Sequence, residues 1–189
     1  PEELSAGSRD ILFAKELYIE RDDFMEDPPK KFFRLGIGRE VRLRYAYFVT
    51  CVGIERNDLG EIYEVRCTYD PLSRGGSSPD GRKVKGTIHW VAVNDAIDAT
   101  VNLYDHLFLD PSPDTHESNF LDSLNPNSLK IISGCKLEPS LRGIVNSKTV
   151  QFERLGYFCP DLESSVDNII FNRTLPLRDT WAKIKAKEN

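Results

Sequence analysis

The sequence predicts an all-β protein of the barrel or sandwich type, and three observations carry that prediction. Short stretches such as ELYIE (16–20) and IYEVRCTY (62–69) alternate apolar and polar residues at the two-residue period of strands. β-Branched and aromatic residues crowd the run from Val41 to Ile54. Clusters of Asn, Asp, Gly, Pro and Ser punctuate the chain at close intervals, the spacing seen in barrels and sandwiches.

Taken in order, Glu16 to Glu20 reads as a brief strand that runs into the acidic, proline-rich loop DDFMEDPP. Val41 to Ile54 reads as one long strand, ERNDLGEI as a turn, and Ile62 to Tyr69 as the returning strand of a hairpin. SRGGSSPDG (73–81) is a loop by composition, and RKVKGTIHWVAV (82–93) reads as a further strand. DAIDATVNLY (95–104) begins in a turn and ends in a strand. PSPDTHE (111–117) is a surface connection, and Asn119 to Leu124 has the composition of one helical turn. Leu129 to Ser133, Ser147 to Phe158 and Val166 to Leu177 complete the strands, and Thr180 to Lys187 reads as a terminal helix.

Within REVRLRYAYF (39–48) the strand period sends Val41, Leu43 and Tyr45 to one face and Arg42 and Arg44 to the other. A guanidinium is too costly to bury unpaired, so that second face meets water or an anionic partner. The net charge of −5 argues against nucleic-acid binding by the whole surface, but the basic residues are not spread evenly. Lys30, Lys31, Arg34, Arg39, Arg42 and Arg44 fall in one short span against the single acid Glu40, which is the local footprint a phosphate or base partner needs.

A chain of 189 residues suits one large domain or two small ones, and 40% hydrophobic with 29% charged residues is ordinary for a globular protein. No apolar run has the length of a membrane span, nothing resembles a signal peptide, and a first residue of Pro1 points to a piece of a longer chain. Cys51, Cys67, Cys135 and Cys159 lack the paired spacing of zinc ligands and read as reduced thiols. Cys51 and Cys67 would lie opposite each other in the hairpin. His89, His106 and His116 are scattered, with His89 expected to pack beside Trp90. Neither a nucleophile elbow nor a phosphate loop is present, and the Asp22–Asp23 pair reads as solvated charge, so binding is the expected class of function.

Seven stretches, ELYIERDDFMEDPPKKFFRL, EVRLRYAY, CTYD, GRKVKGTIHWV, LYDHLF, QFERLGYFCPD and FNRTLPLRDTWAK, resemble in the same order the C-terminal half of the glutaminyl-tRNA synthetase family. The resemblance implies two β-barrels of a type also found in a ribosomal protein. Residues 1–28 and 109–189 would form the barrel nearer the catalytic domain and residues 29–108 the distal one, with PSPDTHE as the return crossing. The family's HIGH and KMSKS-like signatures are absent, which implies the anticodon-binding part alone, with no catalytic residue, metal ligand or cofactor site in this piece. The parent would be a monomeric, cytoplasmic ligase using ATP and magnesium, and the partners would be the tRNA(Gln) anticodon loop and the ligase's own N-terminal catalytic domain, with no membrane.

By the same resemblance, Arg42 and Arg44 correspond to readers of the first anticodon base, C or U, and Arg34 to a reader of the third, G. Gln151 and Arg154 correspond to readers of the central U, and Lys30 and Lys31 are candidate backbone contacts. Guanidinium forks suit the acceptors of pyrimidines and guanine, and an amide both donates and accepts, as the edge of uracil requires. On a regular strand Gln151 and Arg154 would face opposite ways, so the chain is expected to bulge or turn near Glu153 to Leu155. Phe33 stands where some relatives carry lysine, and Lys31 where others carry glutamine. A further arginine the family uses for the central base lies upstream of Pro1. Two other readings stand beside this one: a glutamyl-tRNA synthetase of archaeal or eukaryotic type, which QFERLGYF and LRDTWAK disfavour, and an RNA-binding β-barrel without enzymatic activity.

Overall fold

The computed structural model describes residues 8–78, 80–109, 119–144 and 148–177. The chain divides into two compact units, Pro1–Asp95 and Ala96–Asn189. PSPDTHE and the expected helix from Thr180 to Lys187 lie outside the described residues.

The first unit holds β1 (Leu17–Ile19), β2 (Glu40–Leu43), β3 (Phe48–Arg56), β4 (Ile62–Asp70), β5 (Thr87–Ile88) and β6 (Trp90–Ala92). Four of these form a sheet in the order β4-β3-β2-β5, and β1 pairs antiparallel with β6. The expected hairpin is present as β3–β4, with Cys51 directly opposite Cys67 and both thiols free. Its turn is built by Asn57, whose side-chain oxygen accepts from the amides of Leu59 at 3.0 Å and Glu61 at 2.9 Å.

Two strand expectations need correction. Val41 to Ile54 is not one strand, because β2 ends at Leu43 and β3 begins at Phe48. The link is a tight turn in which Tyr45 has φ 61° and the Ala46 amide donates to Leu43 O at 2.9 Å. Arg-Tyr-Ala-Tyr carries no turn signal of its own. The turn is imposed from outside: the Arg44 amide donates to Ile88 O at 3.0 Å, and Trp90 Nε1 donates to Arg44 O at 3.1 Å. Likewise 82–93 is not one strand but β5 and β6, which change partners at half-buried His89, β5 running parallel to β2 and β6 pairing with β1.

Apolar burial follows the pleat. Val41 and Leu43 are buried with Phe24, Leu35, Val49, Ile88 and Trp90, while Arg42 between them is only half-buried. Phe13 extends this core, with its ring centroid 4.8 Å from that of Tyr47 and 5.6 Å from that of Trp90.

The second unit is a five-stranded sheet of β7 (Ile97–Tyr104), β8 (Leu129–Leu137), β9 (Val150–Phe152), β10 (Gly156–Pro160) and β11 (Ile170–Pro176), in the order β8-β7-β11-β10-β9. Only β7 and β11 run parallel among these pairs. Ile97, Ala99, Val101, Phe158, Ile169 and Phe171 form its core. Asn119 caps the short 3₁₀ turn Phe120–Ser123 by accepting from the Leu121 amide at 3.1 Å, as its composition predicted. The expected strand from Ser147 to Phe158 is interrupted after Phe152. The all-β expectation therefore holds, with helix confined to 3₁₀ turns among the described residues. Ladder pairing closes none of the three sheets on itself among those residues.

Candidate nucleic-acid interface

Arg34 follows the buried Phe32 and sits against the 3₁₀ turn Arg21–Asp23. Its Nη1 donates to Asp22 O at 3.0 Å, and its Nε lies 3.4 Å from Asp23 Oδ1. The Asp23 side chain is 1% exposed and that of Arg34 14% exposed. Asp23 is thus not solvated charge, as its acidic neighbourhood suggested, but a buried carboxylate neutralised by a candidate base reader. The Leu35 amide donates to Asp23 O at 2.9 Å, so the same backbone that places Asp23 also places Arg34. Arg39 is spent internally too. It donates to Phe32 O at 2.6 Å and to Pro28 O at 2.8 Å, holding the loop that carries Lys30 and Lys31, both exposed. Exposed Phe33 carries the Lys85 ammonium 5.2 Å from its ring centroid.

Arg42 projects from β2 directly across from Phe48, and its guanidinium carbon lies 5.3 Å from that ring's centroid. Its Nε is buried and has no hydrogen-bond partner among the described residues. Arg82 stacks on the same ring at 5.1 Å and is tied to three carboxylates: Glu40 at 2.9 Å, Asp70 at 2.5 Å and Asp80 at 2.6 Å. Hydrogen bonds that Arg82 donates to Glu40, then to Asp70 and Asp80, hold it above the ordinary guanidinium range. Asp70 is lowered, first by Arg82 and then by the Leu72 amide. Asp80 is lowered to about 2, first by the Ser78 hydroxyl and then by the Arg82 amide and guanidinium.

Both carboxylates have folded values below their unfolded one, so their contribution to stability is complete above about pH 4. It is lost as pH falls towards 2. Between pH 4 and pH 2 the unfolding midpoint of the chain is expected to drop less in Arg82→Gln than in the wild type, because the variant has no such pairing to lose. Parallel acid dependence in the two proteins would rule out the cage as a stabilising unit.

Arg44 is not on the Arg42 strand face. It belongs to the β2–β3 turn, stacks on Tyr45 at 4.7 Å and donates to its hydroxyl at 3.0 Å. Tyr45, expected on the buried face, is 70% exposed because its positive φ turns it outward. The structure therefore places Arg42 and Arg44 at one end of β2, by different backbone routes.

In the second unit Gln151 is exposed on β9, in register with Tyr157. The chain then turns through Glu153–Leu155, closed by the Leu155 amide donating to Phe152 O at 3.0 Å, with Arg154 at φ 66°. This is the turn expected if both residues serve one base, so the alternation of a regular strand does not extend from Gln151 to Arg154. Rings of Phe152 and Phe158 at 4.5 Å anchor the turn to the core.

Sequence reasoning missed Asp23, Phe48 and Arg82. Asp23 looked like solvated charge, Arg82 only opened an expected strand, and nothing local marks Phe48 as a ring shared by two arginines. Among the described residues no helix is long and apolar enough to cross a membrane, and no group of three or more His, Cys, Asp or Glu could hold a metal ion.

Fold and site together describe a β-sheet binding module that presents arginine donors from strand ends and turns. Residues 1–70 match the family model described as tRNA synthetases class I (E and Q), anti-codon binding domain, and residues 87–161 match a second model of the same description. The two matches cover well over half of the sequence, and the chain belongs to this anticodon-binding family. It is 56% identical over 186 residues to a glutamine–tRNA ligase of Nitrobacter winogradskyi, covering 98% of this chain and 33% of that protein. Glutamine–tRNA ligases of Rhodopirellula baltica and Proteus mirabilis are 51% and 47% identical, over 99% and 97% of this chain and 31% and 33% of theirs. The chain spans about a third of the length of these relatives.

Proposed function

We propose that the chain reads the anticodon loop of tRNA(Gln) as the C-terminal part of a glutamine–tRNA ligase. The observation that carries this is Arg42: in a chain of this family, a half-buried arginine near the end of β2 rests on Phe48 and makes no hydrogen bond or ion pair through its guanidinium among the described residues. Arg42 and Arg44 take the first base, Arg34 the third, and Gln151 with Arg154 the central uracil, each base splayed from the stack so that its edge can be read. Lys30 and Lys31 contact the backbone, which makes binding salt-sensitive through counterion release. The parent ligase supplies ATP, magnesium and the catalytic half, so this chain forms no glutaminyl adenylate by itself. The glutamine name of relatives at 54–56% identity favours this over a glutamyl enzyme.

The test is anisotropy titration of the chain against tRNA with a CUG anticodon and its single-base variants across a salt series. Arg42→Ala is expected to weaken binding by about 1–3 kcal/mol, mainly through the first base. An equal loss for every anticodon would make Arg42 a backbone clamp. Equal wild-type affinity for CUG and for a central-base variant would remove Gln151 and Arg154 as uracil readers.

A further inference from the structure

Arg42, Phe48 and Asp70 lie in one row across β2, β3 and β4, since Arg42 pairs with Phe48 and Phe48 with Asp70. Glu40 precedes Arg42 by two residues and so shares its face of β2. Arg42 therefore shares one face of the sheet with two carboxylates, Glu40 two residues away on its own strand and Asp70 one strand beyond Phe48. An arginine so placed would ordinarily pair with them, since fork-to-carboxylate bonds are the strongest it can make. It does not, because Arg82 holds both, donating to Glu40 at 2.9 and 3.0 Å and to Asp70 at 2.5 Å while stacked on Phe48.

The other side is closed by Gly76. A Cβ there would fall 2.9 Å from Arg42 Cδ, and its φ of +80° is one that L side chains rarely adopt. Gly76 is fixed in turn by its amide, which donates to Ala46 O at 3.0 Å.

We infer that Arg82 is a positioning residue for base reading: by occupying Glu40 and Asp70 it keeps the Arg42 guanidinium unpaired and available to the first anticodon base. The inference rests on the proposed role of Arg42 and deepens it. Arg82 touches no RNA in this arrangement and acts by denying Arg42 its internal partners. When Arg82 is removed, Arg42 falls into the vacated carboxylates and reads the first base poorly, although it is still present. A merely structural Arg82 has no such route.

The experiment measures the affinity ratio of the chain for tRNA with a CUG anticodon over tRNA with a purine at the first position, in Arg82→Gln, Arg42→Ala, the double variant, and Arg82→Gln with Glu40→Gln. Arg82→Gln is expected to lower the ratio by about tenfold, the order of one good bidentate base contact. In the Arg42→Ala background the same change should lower it no further, the non-additivity expected of residues acting through one group. Adding Glu40→Gln to Arg82→Gln removes a competing carboxylate and should restore part of the ratio. An unchanged ratio in Arg82→Gln, additive losses in the cycle, or no rescue by Glu40→Gln each overturns the inference while leaving the role of Arg42 standing. No effect of Arg42→Ala on the ratio overturns both. Should Arg82→Gln fail to fold, Arg82→Lys, which keeps the charge but loses the two-carboxylate fork, carries the same cycle.

Discussion

Arg34→Ala is expected to destabilise the chain by about 3–5 kcal/mol, because it removes the guanidinium that lies 3.4 Å from the buried Asp23 carboxylate. Against a typical domain stability of about 5–15 kcal/mol, that is a large loss. The effect should reach the RNA as well. The Leu35 amide bonds to the Asp23 backbone, so relaxation of this turn disturbs the segment that carries Arg34. Arg34→Ala should therefore weaken binding to every anticodon, and most where the third base is G, and Arg34→Lys, which keeps the charge near Asp23, should lose less stability. Urea unfolding separates the cases. A change in stability below about 0.5 kcal/mol would mean that Asp23 is accommodated without Arg34, as at an ordinary surface site.

Phe171→Ala is expected to cost about 3–5 kcal/mol in the second unit, the range for truncating a fully buried aromatic. Phe171 is 0% exposed, and its ring centroid lies 5.3 Å from that of Phe152, which adjoins Gln151 on β9. Loss of the ring leaves Phe152 without one of its two aromatic neighbours and frees the turn at Glu153–Leu155. Discrimination at the central base should then fall together with thermal stability. Phe171→Leu, which fills more of the space, should recover much of both. Stability lost with central-base discrimination intact would separate the core from the reading turn.

Candidate residues were more legible in the sequence than the backbone that carries them. Seven ordered motifs marked Arg34, Arg42, Arg44, Gln151 and Arg154. A shared base for Gln151 and Arg154, as the resemblance implies, called for a turn near Glu153, and the structure has one there. The break at Arg44–Tyr47 was not legible, because its residues are good strand formers and the turn is held by Ile88 and Trp90, more than forty positions away. For the same reason RKVKGTIHWVAV looked continuous: a change of pairing partner at His89 leaves no mark on local propensity.

What the sequence by itself determined is whatever depends on near neighbours along the chain: the alternation that buries Val41 and Leu43, the Asn57 turn and the β3–β4 register that sets Cys51 against Cys67. Charge pairing was decided only in three dimensions. Asp23 and Asp22 are adjacent acids, yet Asp23 is buried against Arg34 and Asp22 is exposed. Arg42 and Arg82 are both arginines beside Phe48, yet one is enclosed by carboxylates and the other keeps an unused N–H. The physical reason is that a side chain's electrostatic fate depends on its distance to partners and on its exclusion from water, and both are set by strands that meet across the sheet rather than along the chain.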